Sequence, residues 1–202
     1  MAATPVLPAQ VSSDALSRKR FTRDDVDRLT EAGVFEGQRY ELIDGDLIDK
    51  MGRNPPHASA IRRVSKWLRS FLADDQVQVQ LPIEAACEDR ERSLPEPDLA
   101  VLAELKPDHE RRHPSGHEVV LVVEVAESSA AFDLSRKAIL YAKAGVREYW
   151  VLDLTRRMLV VHRQTDGEQY RHIHLYAEGD TVSVENRTES VRVKDLLPEE
   201  TA

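Results

Sequence analysis

The stretch EVVLVVEVAESSAAFDLSRKAILYAKAGVREYWVLDL, residues 118–154, decides the fold. Its first part is a nearly continuous apolar run of strand length, which is typical of a strand buried on both faces of a sheet. Its middle part predicts a helix that is capped by Asp133 and ends at Gly145. REYWVLDL, at its end, predicts a second strand. Strand, helix and strand over so few residues predict a βαβ unit with parallel strands and a right-handed connection.

The segments on either side extend this unit into a larger mixed sheet. Upstream, a helix follows Thr22 as its N-cap, a hairpin forms around Asp44-Gly45, and Pro55-Pro56 opens a helix that runs to about Leu72. The further predicted strands lie in VQVQLPIEA, LPEPDLAVLAEL, MLVVHR, QYRHIHLY, TVSV and SVRV. We therefore expect an α/β (α+β) fold, a mixed sheet flanked by helices with an antiparallel C-terminal extension.

Composition limits the class of protein. The chain has 202 residues, of which 41% are hydrophobic and 32% charged, as in an ordinary globular domain. No apolar run is long enough to cross a bilayer. Cys87 is the only cysteine, which excludes an intrachain disulfide and a cysteine zinc site. We expect a cytoplasmic protein with one domain at 21–197, a flexible N-terminal tail at 1–20 and a C-terminal tail at 198–202.

The charge bears on nucleic-acid binding in two ways. A net charge of −8 weighs against tight, non-specific binding, because neutralising phosphates needs a surplus of lysine and arginine. It does not exclude a nuclease, since acids clustered at a metal site inflate the negative count. The helix from Pro56 carries Arg62, Lys66 and Arg69 on one face, which could position phosphates or could be an ordinary solvated face.

Two strand-borne carboxylates are candidates for a metal site. Glu124 interrupts a valine-rich strand, where a carboxylate is costly unless it is paired, hydrogen-bonded or bound to a metal. Asp98 follows Pro97 at the head of another apolar strand. Each has an ordinary alternative: Glu124 could reach water at the strand end, and Asp98 could simply start its strand. If both converge, a cation must offset their repulsion, and magnesium prefers such oxygen ligands.

Lys137 and Glu41 are the other candidates. Lys137 lies at the edge of the apolar stripe of its helix, between Leu134 and Tyr141, and faces the sheet. Its ammonium could orient an attacking water or steady charge on a phosphate; alternatively, it snorkels beside Tyr141. Glu41 lies in an apolar hairpin strand and is either a fourth site acid or a solvent-facing residue.

With Glu41, Pro97-Asp98, Glu124 and Lys137 in this order, the sequence resembles the Uma-two family of restriction-endonuclease-like proteins. The motifs that carry the resemblance span Phe21 to His162. They are YELIDGDL, His57 at a helix start, LPEPDLAVL, VVLVVEVAESS and DLSRKAILYAKAGVREYWVLDL. The resemblance implies the PD-(D/E)XK nuclease core and a metal-dependent endonuclease that hydrolyses nucleic-acid phosphodiester bonds, with DNA as the expected substrate and a homodimer as the expected assembly.

The resemblance also implies roles for individual residues. Asp98 and Glu124 would ligate Mg²⁺ or Mn²⁺, with the Val125 carbonyl as a further ligand. Lys137 would be the active-site lysine, and Glu41 the acid contributed from the N-terminal part. His57 matches a family position and is a candidate nucleic-acid contact, together with the basic residues of the same helix.

The chain departs from the plain motif at one important position. The motif lysine should follow the acid by two residues, where this sequence has Ala126. Lys137 can substitute only if its helix returns it to the site. The usual Ser-Pro-Ser after the acid strand is also replaced, by Glu127-Ser128-Ser129. Two alternatives therefore stay open: a catalytically inactive binding or assembly module of the same fold, and a hydrolase of small phosphoesters.

Overall fold

The structure is a computed structural model that describes residues 18–50 and 54–199. The expected tails, 1–20 and 198–202, lie for the most part outside these residues, so their boundaries stay a prediction. No helix within the described part of the chain is long and apolar enough to cross a membrane.

The N-terminal half supplies two helices and a hairpin. Helix α1 spans Arg23–Glu31, and Thr22 caps it with the predicted capping box. Strands β1, Tyr40–Ile43, and β2, Asp46–Asp49, form the predicted hairpin around Asp44-Gly45, and both turn residues have positive φ. Helix α2 spans Pro55–Leu68, so it ends four residues before the predicted Leu72, and it buries Ala60, Ile61, Val64 and Leu68.

The central sheet has six strands in the order β3-β4-β5-β6-β7-β8. Strands β5 and β6 are parallel, and every other neighbouring pair in this sheet is antiparallel. This confirms the predicted parallel pair and the mixed sheet. The strands are β3 Val77–Val79, β4 Leu99–Leu102, β5 Val119–Ala126, β6 Glu148–Asp153, β7 Met158–Thr165 and β8 Tyr170–Ala177.

The C-terminal part adds a small ribbon. Strands β9, Thr181–Ser183, and β10, Ser190–Arg192, pair antiparallel and are followed by helix α5, Val193–Leu196. This ribbon and the antiparallel strands β7 and β8 form the expected C-terminal extension.

The helix between β5 and β6 differs from the prediction at its start. It begins as α3, Ala130–Phe132, passes through a π turn, Asp133–Lys137, and continues as α4, Ala138–Ala144. The prediction that Asp133 is the N-cap is therefore wrong, because the helix starts before it and Asp133 opens the π turn. The predicted stop is confirmed: Gly145 ends α4 in the left-handed region, at φ 85°.

The central strands β4, β5 and β6 are buried on both faces, which explains the valine-rich sequence of β5. Alternate residues of β5 point to opposite sides. Leu121, Val123 and Val125 pack in the cluster that includes α2 and α5, whereas Val122 and Ala126 pack in the cluster under α4. Glu124 shares the α4 face with Val122 and Ala126. This alternation points Glu124 toward the helix that carries Lys137.

The loop before β5 packs tightly against the end of α4. A Cβ on Gly116 would lie 2.2 Å from the Ala144 carbonyl oxygen, a backbone contact that cannot swing aside. We expect Gly116→Ala to lower the free energy of unfolding by about 1–3 kcal/mol, the usual cost of overpacking. Urea denaturation measures this. Gly179→Ala is the matched control, because a Cβ there meets nothing within 4 Å; equal losses in both variants would contradict the close packing.

Candidate functional site

A pocket of about 540 Å³ opens at the carboxyl end of β5. Its wall combines the β1–β2 hairpin, the start of α2, the head of β4 and the π turn. Four buried carboxylates and one buried ammonium line it, and each of these residues is only 3–5% exposed. They are Glu41, Asp98, Glu124, Asp133 and Lys137. The structure thus brings together the four residues proposed from the sequence as catalytic and adds Asp133.

Lys137 lies at the centre of the acids. Its Nζ is 2.7 Å from Glu41 Oε1, 2.9 Å from Glu124 Oε1 and 3.7 Å from Asp133 Oδ1. Burial disfavours the charged form of a lysine, but the three carboxylates outweigh it and raise the pKa of Lys137 above its ordinary value. The ammonium therefore keeps its charge, and the snorkelling alternative does not describe it.

Glu124 is fixed through one of its two oxygens. Its Oε1 accepts from Lys137 Nζ at 2.9 Å and from the Tyr141 hydroxyl at 3.0 Å. No described residue donates a hydrogen bond to Oε2. Burial, and the charges of Asp98, Asp133 and Glu41, raise the pKa of Glu124 above its ordinary value although Lys137 acts in the opposite direction.

Asp98 is held in the same one-sided way. Its Oδ2 accepts from the Val125 backbone N–H at 2.9 Å and lies 3.2 Å from His57 Nε2. Burial would raise the pKa of Asp98, but these two neighbours and Lys50 outweigh it and lower the pKa. Asp98 Oδ1 accepts no hydrogen bond from the described residues. The N–H and C=O of one strand residue point to the same side, so the Val125 carbonyl also points toward Asp98.

Glu41 uses both of its oxygens within the protein. Oε1 forms the ion pair with Lys137, and Oε2 accepts from the Glu96 backbone N–H at 3.2 Å. The hairpin that carries Glu41 is separate from the central sheet, so the sequence alone does not predict where this acid lies. Its position shows that it anchors the lysine.

Asp133 is the site residue that sequence reasoning assigned only to helix capping. Its Oδ2 accepts from Ser129 Oγ at 2.6 Å, and burial raises its pKa although Lys137 opposes the shift. It precedes Lys137 by four residues, a spacing that puts two side chains on one helix face. This spacing could have predicted that Asp133 lies beside Lys137, but the capping interpretation did not use it.

The π turn positions both of these side chains. The Ala138 N–H bonds to the Asp133 carbonyl in the wider π pattern, and the Tyr149 hydroxyl of β6 donates to the same carbonyl at 3.0 Å. Single π turns within α-helices are frequent at functional sites. Here the turn carries Asp133 and Lys137 into the pocket wall, and a tyrosine from the neighbouring strand holds it.

Of the predicted nucleic-acid contacts, only His57 lies at the pocket. An α-helix turns about 100° per residue, which puts Arg62 about 140° and Lys66 about 180° around α2 from His57. Both are exposed on the side turned away from the pocket. Arg69 binds the turn after α2 through Asp74 and the Val77 carbonyl. The structure therefore does not gather the basic face and the acids at one place.

The free oxygens fit a hard divalent cation. Asp98 Oδ1, Glu124 Oε2 and the Val125 carbonyl are oxygen donors of the kind that Mg²⁺ prefers, and the four buried acids outnumber the one buried ammonium. Within residues 18–50 and 54–199, no three His, Cys, Asp or Glu side chains already form a ligand cluster. A metal here would therefore complete its shell with waters, as Mg²⁺ usually does.

Comparisons with known proteins agree with this architecture. Residues 23–194 match the sequence profile of the Uma2 family, described as "Putative restriction endonuclease". A crystal structure of a putative nuclease from Anabaena variabilis has a similar fold, with a TM-score of 0.66 and 14% identity over 87% of this chain and 97% of that chain. At this identity the likeness concerns the fold alone. No curated protein matches the sequence.

The π turn makes a prediction about Tyr149. We expect Tyr149→Phe to lower the free energy of unfolding by about 1 kcal/mol, the usual net value of a buried hydrogen bond. We also expect it to reduce any rise in Tm that added Mn²⁺ produces, because the turn that carries Lys137 loosens. Thermal unfolding with and without Mn²⁺ measures both effects.

Tyr170→Phe is the matched control. Tyr170 is also buried, and its hydroxyl donates to the Val146 carbonyl at 2.9 Å, outside the pocket. It should lose similar stability and keep the full Mn²⁺ response. If both variants respond to Mn²⁺ alike, Tyr149 has no special link to the site.

Proposed function

The chain belongs to the Uma2 family of "Putative restriction endonuclease" proteins, and we propose that it is a metal-dependent endonuclease that hydrolyses phosphodiester bonds, with DNA as its substrate. The observation that carries this proposal is the convergence of Asp98, Glu124 and Lys137 in one buried pocket. Among residues 18–50 and 54–199, none donates a hydrogen bond to the second oxygen of either acid. Family membership supports nuclease chemistry, and the arrangement of these three residues supports its dependence on a metal.

In this proposal Asp98, Glu124 and the Val125 carbonyl hold Mg²⁺ or Mn²⁺. The ion, when bound, supplies a polarised phosphoryl group and a water of lowered pKa. The Val125 N–H and His57 orient Asp98, and the hydroxyl of Tyr141 orients Glu124. These contacts all use the opposite oxygen of each carboxylate, so the acids are fixed before any ligand arrives.

Lys137 contributes a permanent positive charge. Glu41 and Glu124 hold its Nζ at 2.7 and 2.9 Å, so the ammonium is fixed and needs no rearrangement. A fixed charge beside the attacked phosphate would offset the negative charge that develops on its oxygens. Lys137 thus takes the role of the motif lysine from a different sequence position.

The experiment is a cleavage assay with Mg²⁺ or Mn²⁺ on supercoiled plasmid, linear duplex and single-stranded DNA. We expect cleavage by the wild type and a loss of more than about 100-fold in the cleavage rate of Asp98→Asn and Glu124→Gln. Mutation of residues that only hydrogen-bond to metal ligands already costs about 10–100-fold in activity. Glu148→Gln is the control, because Glu148 is a buried acid paired with Arg163 outside the pocket. Its rate should match the wild type once folding is verified by circular dichroism.

The same assay separates the alternatives. Cleavage that survives Asp98→Asn and Glu124→Gln would remove the proposed centre. Hydrolysis of bis(p-nitrophenyl) phosphate without cleavage of any polynucleotide would indicate a small-phosphoester hydrolase. DNA binding in a gel-shift assay with no hydrolysis of either substrate would indicate a binding module.

We also propose that two copies associate through β8, the edge strand of the central sheet. An edge strand exposes unpaired N–H and C=O groups, and proteins usually protect such edges with lysine, proline or inward charges. Residues 172–177, HIHLYA, contain no lysine, proline or acid, and Ile173 and Leu175 are 54% and 65% exposed. Antiparallel pairing of two β8 strands across a two-fold axis would pair the exposed N–H and C=O groups and reduce the exposure of Ile173 and Leu175.

Leu175→Lys tests this association. We expect light scattering to show a dimer for the wild type and a monomer for the variant. Pairing of two variant strands would place two like charges at the interface, which opposes association. Ile139→Lys is the control, since Ile139 is 50% exposed on α4 and outside β8. A wild-type monomer at high concentration, or a dimer in Leu175→Lys, would contradict the proposed interface.

A further inference from the structure

The pocket holds more carboxylates than one metal ion needs. They divide by their partners into two groups. Asp98 bonds to Val125 and His57, whereas Glu41, Glu124 and Asp133 surround the Lys137 ammonium. Glu124 belongs to both groups, because its Oε1 faces the ammonium and its Oε2 accepts no bond from the described residues. Two adjoining positions for positive charge therefore share one carboxylate.

The ammonium fills one of these positions as a cation would. Its Nζ is surrounded by carboxylate oxygens at 2.7, 2.9 and 3.7 Å. These are spacings for a charge-assisted hydrogen bond, not for a metal, because Mg²⁺ needs oxygens at about 2.1 Å. The acids around Lys137 are thus set for an ammonium, in line with the lack of a three-ligand cluster in the described part of the chain.

The lysine also opposes a second metal electrostatically. A divalent ion beside a buried ammonium would meet strong repulsion, because interactions between charges are less screened inside a protein than in water. Lys137 is 3% exposed and its Nζ lies among Glu41, Glu124 and Asp133, so an ion bound to these three acids would need the position of the ammonium itself. The space on the Asp98 side of Glu124 is the remaining place for a divalent ion.

We propose that the Lys137 ammonium takes the place of a second metal ion, so that the pocket binds a single divalent cation between Asp98 and Glu124. This inference rests on the proposed metal-dependent function and specifies its stoichiometry. Removal of the lysine lets the three surrounding acids move closer together, to the shorter distances that a metal needs, and form a second cation site. A small residue leaves room for that ion, whereas a long neutral residue removes the charge and keeps the space filled.

The test is the number of Mn²⁺ ions bound, measured by isothermal titration calorimetry and electron paramagnetic resonance. We expect one ion for the wild type, two for Lys137→Ala and one for Lys137→Met, which lacks the room. The double variant Glu41→Gln/Lys137→Ala should return to one ion. Magnetic coupling between two neighbouring Mn²⁺ ions should appear only in the spectrum of Lys137→Ala.

A second measurement covers the case in which Lys137→Ala unfolds without metal. The Tm is then followed against Mn²⁺ concentration, because a ligand that binds only the folded state stabilises it in proportion to the number of bound ions. The dependence on the logarithm of concentration should be twice as steep for Lys137→Ala as for the wild type. Equal slopes in the two proteins would overturn the inference.

The outcomes separate this inference from the proposed function. A wild type that binds two Mn²⁺ ions overturns the single-ion centre and leaves a metal-dependent nuclease intact. One ion in Lys137→Ala, with unchanged affinity, overturns the role of the ammonium as a stand-in cation. A wild type that binds no Mn²⁺, or the same number after Asp98→Asn, overturns the proposed metal site itself.

Discussion

The buried ion pair between Glu124 and Lys137 is the interaction on which the site depends. A carboxylate in the middle of a sheet is costly to desolvate, and removing one partner of such a pair typically costs about 3–5 kcal/mol. Here the cost is met by two donors to one oxygen, the Lys137 ammonium at 2.9 Å and the Tyr141 hydroxyl at 3.0 Å. Because both use Oε1, the stabilising contacts also fix where the other oxygen lies. Folding and site geometry are therefore set by the same bonds.

The backbone of the sheet prepares the second acid. Strand β4 ends its pairing with β5 at Leu99 and Val123, which leaves the Val125 N–H without a strand partner on that side. The Asp98 carboxylate takes this N–H and so completes the ladder with a side chain. Asp98, which precedes β4, is thereby held beside the end of β5. The two acids lie on one face of the sheet, because side chains alternate along each strand and both acids fall in step with the buried residues under α4.

The sequence predicts the elements better than it predicts their partners. The valine-rich β5, the Asp44-Gly45 hairpin and the stop at Gly145 follow from local patterns and are confirmed. The start of the connecting helix does not, because the π turn is held by Tyr149, a residue of the next strand. Local capping rules predict a helix start at Asp133. The hydrogen bond from the Tyr149 hydroxyl to the Asp133 carbonyl instead holds this residue inside the helix.

The same limit applies to the charged residues. Helical periodicity correctly puts Arg62, Lys66 and Arg69 on one side of α2, but it does not say what that side faces. Arg69 satisfies the Val77 carbonyl at the start of β3, and the other two face away from the pocket. Spacing thus predicts which residues share a face. The packing of one element on another decides which face meets the site.

Packing at Ala126 explains why the proposed active-site lysine lies on the helix and not on the strand. Ala126 lies on the same face of β5 as Glu124, where the plain motif has its lysine, and it is fully buried with Ala130 and Ala138 of the overlying helix. A long side chain there would push that helix away from the sheet. Three alanines let the backbones approach closely, and this approach brings Lys137 within 2.9 Å of Glu124. The small residue in the strand and the lysine in the helix are therefore two parts of one arrangement, in which the helix supplies the charge that the strand has no room to carry.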